Sequence, residues 1–482
     1  DASPTEISST TSSAGQAGRV HIVTPTMHLD DWAVVSTSSQ STGHAGSVVL
    51  DVGRLDLLRG ARIESSGLER SGGVVINAAK SITLDKGTIT TDALNPGQTG
   101  QSGNVSLHAG QSILIGNGSR ISADTAKDVS DIVRQDAGNI VIQAGKSVVV
   151  RDSTVSARAQ AETGNSGTIV IDAGKNFVSE ASTLSVAAAS PAGGDSGQIR
   201  VTAGDSVRLR NGTVLDGTNA GPGGDGAHIV LDAGKHVVVD ASRVITPVLE
   251  GGSGRIEMHA GKDVRLVNGT VMDASAGARV PGGQIVVDAG RNILVDASQV
   301  RVPVGDGGTG QIVMHAEKDV RLVNGTVLDA SSEASGGGQI VVTGGNVVID
   351  NSRLTADTAA GSFGNAGKVT VIADGSVRLL NGTLVTASSP IFSSGGQVSV
   401  TAGDSVQLRN STIQTSGTFG GGTIVLTSET VRLKNGRLVS SASEDVGGTI
   451  TIKTNDFRRD AASVLDVSGS IANGTINIEP LP

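Results

Sequence analysis

A glycine followed by alternating apolar residues returns about every 28 residues along the chain, at Gly18, Gly46, Gly73, Gly103, Gly138, Gly167, Gly197, Gly226, Gly254, Gly283, Gly310, Gly338, Gly367, Gly396, Gly422, Gly448 and Gly474. Self-similarity at a fixed period marks a stacked repeat. These seventeen units span nearly all of the 482 residues.

The repeat at 226–253, GAHIVLDAGKHVVVDASRVITPVLEGGS, carries Ile229, Leu231 and Ala233 on one parity and Val230 and Asp232 on the other. Period-two alternation of this kind predicts a strand. Two further short runs follow, around Val237/Val239 and Val244/Thr246, so each unit reads as three strands joined by corners. No window carries helical spacing over a useful length, and β-branched residues fill the apolar positions. Such a unit cannot bury its own apolar face, so successive units must stack strand on equivalent strand. The expected fold is all-β, a single-stranded parallel β-helix of 16–17 coils forming one continuous domain over 1–482. Residues 1–17 read as a partial first coil, 18–473 as the repeated coils and 474–482 as a partial last coil. The long return from Gly103 to Gly138, with its polar stretch 124–136, reads as a loop bulging from one corner.

Composition narrows the function. With no cysteine, neither disulfides nor thiolate metal sites exist. No apolar run is long enough to cross a membrane as a helix, and the chain opens at Asp1 without a signal-peptide pattern, so a leader has been removed or lies outside this sequence. The net charge of −9 is spread out, and no basic stripe suggests nucleic acid. The aromatics are Trp32, Phe177, Phe363, Phe392, Phe419 and Phe457, with no tyrosine. Sites for sugars and single-stranded nucleic acids use stacking platforms, so this scarcity argues against glycan processing. No nucleophile, acid–base pair or cofactor motif stands out, and no catalytic or cofactor-binding residue is assigned.

The phrases GGQIVVDAGRNILVDAS (282–298), GQIVMHAEKDVRLVNGTVLDAS (310–331) and GKVTVIADGSVRLLNGTLVTAS (367–388) resemble the repeats of filamentous-haemagglutinin-like exoproteins of two-partner secretion. The terminal FRRDAASVLDVSGSIANGTINIEP (457–480) is similar to the last coils of such proteins. The resemblance implies a right-handed β-helix, secretion through an outer-membrane pore, and residence at the surface of a Gram-negative cell as an adhesin. It implies partners on a host or neighbouring cell. The family's N-terminal secretion domain, with its Asn-Pro motifs, is not in these residues.

Outward positions form rows from coil to coil, about 4.8 Å apart. On the first strand the row reads Asp172, Thr202, Asp232, His259, Asp288, His315, Thr343. Alternating Asp232, His259, Asp288 and His315 could form a pH-sensitive stripe or bind a transition metal; a solvated row that keeps like charges apart is the other reading. On the second strand one row reads Arg151, Glu180, Arg210, Asp240, while Arg208, Arg265, Arg321 and Arg378 recur on alternate coils, diagonal to Asp240 and Asp296. These arginines are expected to set register by pairing with those carboxylates; the alternative is a row for an anionic ligand. Asn211, Asn268, Asn324 and Asn381 each open an Asn-Gly-Thr triplet, a formal glycosylation acceptor and equally a tight corner; Ala181, Ala241 and Ala297 take the place in intervening coils. The Gly-Asp clusters 223–226 and 305–308 read as loops, since no calcium-binding nonapeptide is repeated.

The resulting expectation is a non-enzymatic secreted surface rod of a haemagglutinin-like exoprotein, serving adhesion or extracellular structure. A self-assembling head-to-tail filament is the first alternative, because Asp1-Ala2-Ser3 matches Asp240-Ala241-Ser242 and the two partial coils add to one. A glycan-active β-helix enzyme is the second. It would need acids with Lys or Arg in a groove flanked by aromatics.

Overall fold

A computed structural model describes residues 5–481 except 69, 94–99, 126–134, 162, 190–192, 306, 335, 360–363 and 391. The expected loop at 124–136 therefore lies largely outside the described residues, as do Asp1-Ala2-Ser3, Asp306 and Phe363. The chain divides into two compact units, Asp1–Gly252 and Ser253–Pro482. Both are all-β stacks of parallel strands, with about 28 residues per turn and about 16 turns in all. No helix among the described residues is long and apolar enough to cross a membrane.

A regular coil of the first unit carries Gln198–Ala203, Ser206–Arg210 and Val214–Asp216, and its successor His228–Ala233, His236–Asp240 and Arg243–Ile245. Pairing is parallel and in phase, Ile199 on Ile229 and Val201 on Leu231. Ile229, Leu231, Val237, Val239 and Val244 are fully buried, so apolar alternation in the sequence becomes an aliphatic column within each stack. Earlier coils depart from three separate strands. Val20–Leu29, Val48–Leu58 and Val74–Asp85 run through the first corner unbroken. At the other end Ser405–Gln414 and Thr430–Val439 run through the second.

The marker glycine has a steric cause. A Cβ on Gly138 would lie 1.8 Å from the Gly103 carbonyl oxygen, and one on Gly167 or Gly197 would lie 1.8 or 1.7 Å from the oxygen of the glycine one coil below. At these places the backbone of one coil is seated on the glycine of the previous one and leaves no room for a side chain; Ala227, in register with Gly197, is the exception, its methyl buried beside Gly217. Two markers are displaced from their expected places: Gly72 belongs to this ladder, 1.6 Å from the Gly46 oxygen, whereas Gly73 has only Asn104 O near, at 3.5 Å, and Ala227 rather than Gly226 is in register with Gly197. Two adjacent glycines made the sequence ambiguous at the first, and an alanine in a glycine's place did so at the second.

The second corner has two forms. In one coil Glu180 and Thr183 flank two residues; in the next, their partners Arg210 and Val214 flank three. The longer corners place Asn211, Asn268, Asn324 and Asn381 in the left-handed region, at φ 55°, 57°, 57° and 50°. The shorter ones force Ala181, Ala241 and Ala297 there as well, each at 48°. The hydroxyls that follow fasten both forms: Ser182 Oγ donates to Glu180 O at 2.7 Å and Ser298 Oγ to Asp296 O at 2.7 Å. In the longer form Thr326 Oγ1 donates to Val323 O at 2.8 Å and Thr383 Oγ1 to Leu380 O at 2.7 Å.

Candidate functional site

Since inward positions and glycines fix the stack, chemistry is confined to outward rows. The first-strand row of the first unit pairs Asp51 on Asn77, Asn77 on His108, His108 on Gln143, Gln143 on Asp172, Asp172 on Thr202 and Thr202 on Asp232. From Asp51 to Asp172 it borders a groove of about 1040 Å³ whose floor is built of small residues such as Gly53, Ala78, Gly110 and Gly145. The floor is low for the reason the ladder glycines are glycine: a Cβ on Gly110 would meet Ala79 O at 2.3 Å and one on Gly145 would meet Gly110 O at 2.4 Å.

The polar edge is partly tied together. Asn77 Nδ2 donates to Asp51 Oδ1 at 2.8 Å, and His21 Nε2 lies 2.7 Å from Asp51 Oδ2. These bonds, Asn77's first, hold the Asp51 carboxyl below its ordinary range. His108 Nε2 meets Ser106 Oγ at 2.7 Å. Asp232 pairs with Arg200 at 3.2 Å. Sequence reading began this row at Asp172 and missed its upstream half. Counting five residues from each ladder glycine finds it: Gly46 to Asp51, Gly72 to Asn77, Gly103 to His108 and Gly138 to Gln143.

In the second unit the same position stacks His259 on Asp288, Asp288 on His315 and His315 on Thr343. His259 Nδ1 lies 3.9 Å from Asp288 Oδ2, and its Nε2 lies 3.5 Å from Glu257 Oε2. Among the described residues no three His, Asp or Glu side chains converge as a metal-holding group.

The arginine row departs from expectation. Arg265 pairs on Leu294, Leu294 on Arg321, Arg321 on Val348 and Val348 on Arg378, so an aliphatic residue separates consecutive guanidinium groups. No carboxylate lies within ion-pair distance of Arg208, Arg265, Arg321 or Arg378 among the described residues, so they do not set register by pairing with Asp240 or Asp296. The corner asparagines reach these carboxylates instead: Asp296 Oδ1 accepts from Asn324 Nδ2 at 2.8 Å and Asp350 Oδ1 from Asn381 Nδ2 at 2.8 Å, because the corner sets each asparagine next to the carboxylate while the arginines stand diagonal to it. The neighbouring row does pair, Arg151 with Glu180 at 3.4 Å. Arg265 and Arg321 flank a hollow of about 330 Å³ with Leu294 between them and Asp263 and Asp319 beside it.

A charge cluster that the sequence did not suggest lies past the third strand of the first unit. Arg120 Nη2 reaches Asp92 Oδ2 at 3.3 Å and Asp124 Oδ2 at 3.2 Å, and Arg158 Nη2 reaches Asp124 Oδ2 at 2.9 Å. Ser156 Oγ and Arg158 N also donate to Asp124, at 2.9 and 2.7 Å, and its side chain is 4% exposed. Burial, and next the Asp124 charge, push the Asp92 carboxyl above its ordinary range. Acids and arginines are together here, but both Asp124 oxygens are taken by donors from the protein, which makes the cluster a cross-coil tie.

In the second unit the third face carries two hollows of about 740 and 450 Å³ that share Asp357 and Thr358. Burial raises the Asp357 carboxyl above its usual range, while Ser388 N and Thr386 Oγ1 donate to it at 2.6 and 2.8 Å. Compared with known protein families, curated proteins and solved structures, the chain matches none.

Proposed function

We propose that the chain is a secreted, non-enzymatic scaffold of the Gram-negative cell surface, a haemagglutinin-like exoprotein serving adhesion or extracellular structure. The observation that carries this reading is the first-unit groove. Five successive coils put Asp51, Asn77, His108, Gln143 and Asp172 along one edge at the coil spacing, above a floor of small residues. A groove that repeats its donors and acceptors at a fixed step suits an extended partner held laterally at many weak points, and affinity then grows with the number of coils engaged. Rigid strands hold every contact at its place.

The test is adhesion of cultured mammalian cells to the immobilised chain. A variant with Asn77→Ala, His108→Ala and Gln143→Ala should stay folded by circular dichroism, giving up only about 1 kcal/mol with the Asn77–Asp51 bond, and lose about tenfold in adhesion, three contacts of modest strength being removed from a multivalent face. Absence of adhesion by the unmodified chain would overturn the proposal.

A further inference from the structure

The chain has six aromatic residues, and two of them meet at the surface of the second unit. Phe392 and Phe419 have ring centroids 5.9 Å apart at an interplanar angle of 39°, yet they remain 55% and 45% exposed. Apolar rings in water are left that way at a cost, and Phe392 carries a second one, a backbone φ of 58° in the region that bulky residues avoid. The corner that holds them is fastened by Thr418 N and Phe419 N, which donate to Ser393 O at 2.9 and 3.2 Å, and by Thr418 Oγ1, which donates to Pro390 O at 2.8 Å.

The rings stand two residues along the chain from Pro390 and Gly417, both of which line the 450 Å³ hollow. Its wall is a file of hydroxyls. Asp357, Ser388, Ser416, Ser441 and Ser468 each lie two residues past the mutually paired Thr355, Thr386, Gln414, Val439 and Asp466, one per coil. Ser416 Oγ meets Ser441 Oγ at 3.1 Å, and Ser416 N donates to Ser388 Oγ at 3.1 Å. Gln414 adds a carboxamide and Asp357 a carboxylate; among the described residues no Lys or Arg lines the hollow.

We infer that Phe392, Phe419 and the hydroxyl file beside them form a binding site for a neutral oligosaccharide. A pyranose presents an apolar C–H face and a rim of hydroxyls, and this place offers a matching pair of surfaces: aromatic rings for the face, and Ser, Gln and Asp groups for the rim. A lipid chain would cover the hydroxyls, the Gln414 carboxamide and the Asp357 carboxylate with hydrocarbon and shut them from water, which is unfavourable for polar groups. A sulfated or carboxylated sugar would bring its charge to a hollow that holds a carboxylate and no cation. The file runs over several coils at about 4.8 Å each, which suits several sugar rings in line. The inference rests on the proposed lateral adhesion and gives it a ligand class.

The experiment is titration calorimetry of the full chain with neutral hexasaccharides, namely β-1,4-linked glucose, α-1,4-linked glucose and β-1,4-linked N-acetylglucosamine, alongside a heparin hexasaccharide and phosphatidylcholine vesicles. At least one neutral sugar should bind, and Phe419→Ala should weaken it about tenfold, the scale of one lost stacking platform. Ser416→Ala should weaken it several-fold, and Phe419→Leu should fall between the wild type and Phe419→Ala, with circular dichroism melts unchanged in all three. Binding of heparin or vesicles alone, no binding at all, or equal affinity in Phe419→Ala would overturn the site. Cells that adhere while no neutral sugar binds would remove the site and leave the adhesive reading standing. A sugar that binds through Phe419 without cell adhesion would do the reverse.

Discussion

Exchanging residues between the two corner forms should change stability in opposite directions. Asn324 sits at φ 57° and donates through Nδ2 to Asp296 Oδ1 on the coil before it, at 2.8 Å. In Asn324→Ala the left-handed backbone loses a residue that tolerates it, about 1 kcal/mol, and an exposed hydrogen bond to a carboxylate is lost, about 1 kcal/mol more. The expected total is about 2 kcal/mol. At Ala297, already at φ 48°, the reverse change Ala297→Asn relieves the backbone by about 1 kcal/mol and adds no bond, because the equivalent position one coil earlier is Val267. Ala297→Gly should be nearly neutral, since the relief is offset by about 0.4–1 kcal/mol of extra freedom in the unfolded chain. A stacked repeat need not unfold in one step. The readout is therefore the urea midpoint by circular dichroism, with amide exchange at Gly325 and Thr326 as the local probe. Combining Ala181→Asn, Ala241→Asn and Ala297→Asn should add to about 3 kcal/mol at separated sites. If Ala297→Asn destabilises as Asn324→Ala does, the left-handed corner is refuted.

Gly138→Ala should cost about 3 kcal/mol or more, because its Cβ would stand 1.8 Å from Gly103 O and the coil must lift, whereas Gly73→Ala, with nothing nearer than 3.5 Å, should cost under about 1 kcal/mol; equal midpoints would contradict the glycine ladder. The Asp92 carboxyl is raised, by burial first and then by Asp124, so the folded state holds this proton more tightly than the unfolded chain does. Stability from this group is then fully present below the unfolded value, near pH 4, and is lost as pH rises through the raised folded value. Relative to Asp92→Asn, the wild type should become less stable as pH climbs through that window, and parallel urea midpoints across it would contradict the assignment.

The phase of the strands was legible because inward burial demands strict alternation: Ile229 and Leu231 had to share a face, and they do. The row Asp172, Thr202, Asp232 was legible for the same reason, its members being held in phase by the in-register pairing of the strands that carry them. Partner choice was less legible. A diagonal placement of Arg321 near Asp296 says nothing of which donor reaches the carboxylate, and Asn324, fixed at the corner, does so. The Asp92–Asp124 tie was hidden because each acid lies just past a strand of three residues, where alternation has ended and burial follows from the coil stacked on it.

The aromatic pair left a signal that periodicity passes over. Phe392 precedes Gly396 by four residues and Phe419 precedes Gly422 by three, so both stand at the same corner of consecutive coils. A repeat conceals function in this way because the residues that recur are those the stack requires. Gly396 and Gly422 recur, a Cβ on Gly422 meeting Gly396 O at 2.2 Å, and substitution there disturbs the coil it is seated on. Outward corner residues bear no such constraint and are free to differ from coil to coil. Two scarce rings on neighbouring coils meet no demand of the stack, and the sugar site proposed for them gives them a use that Phe419→Ala tests.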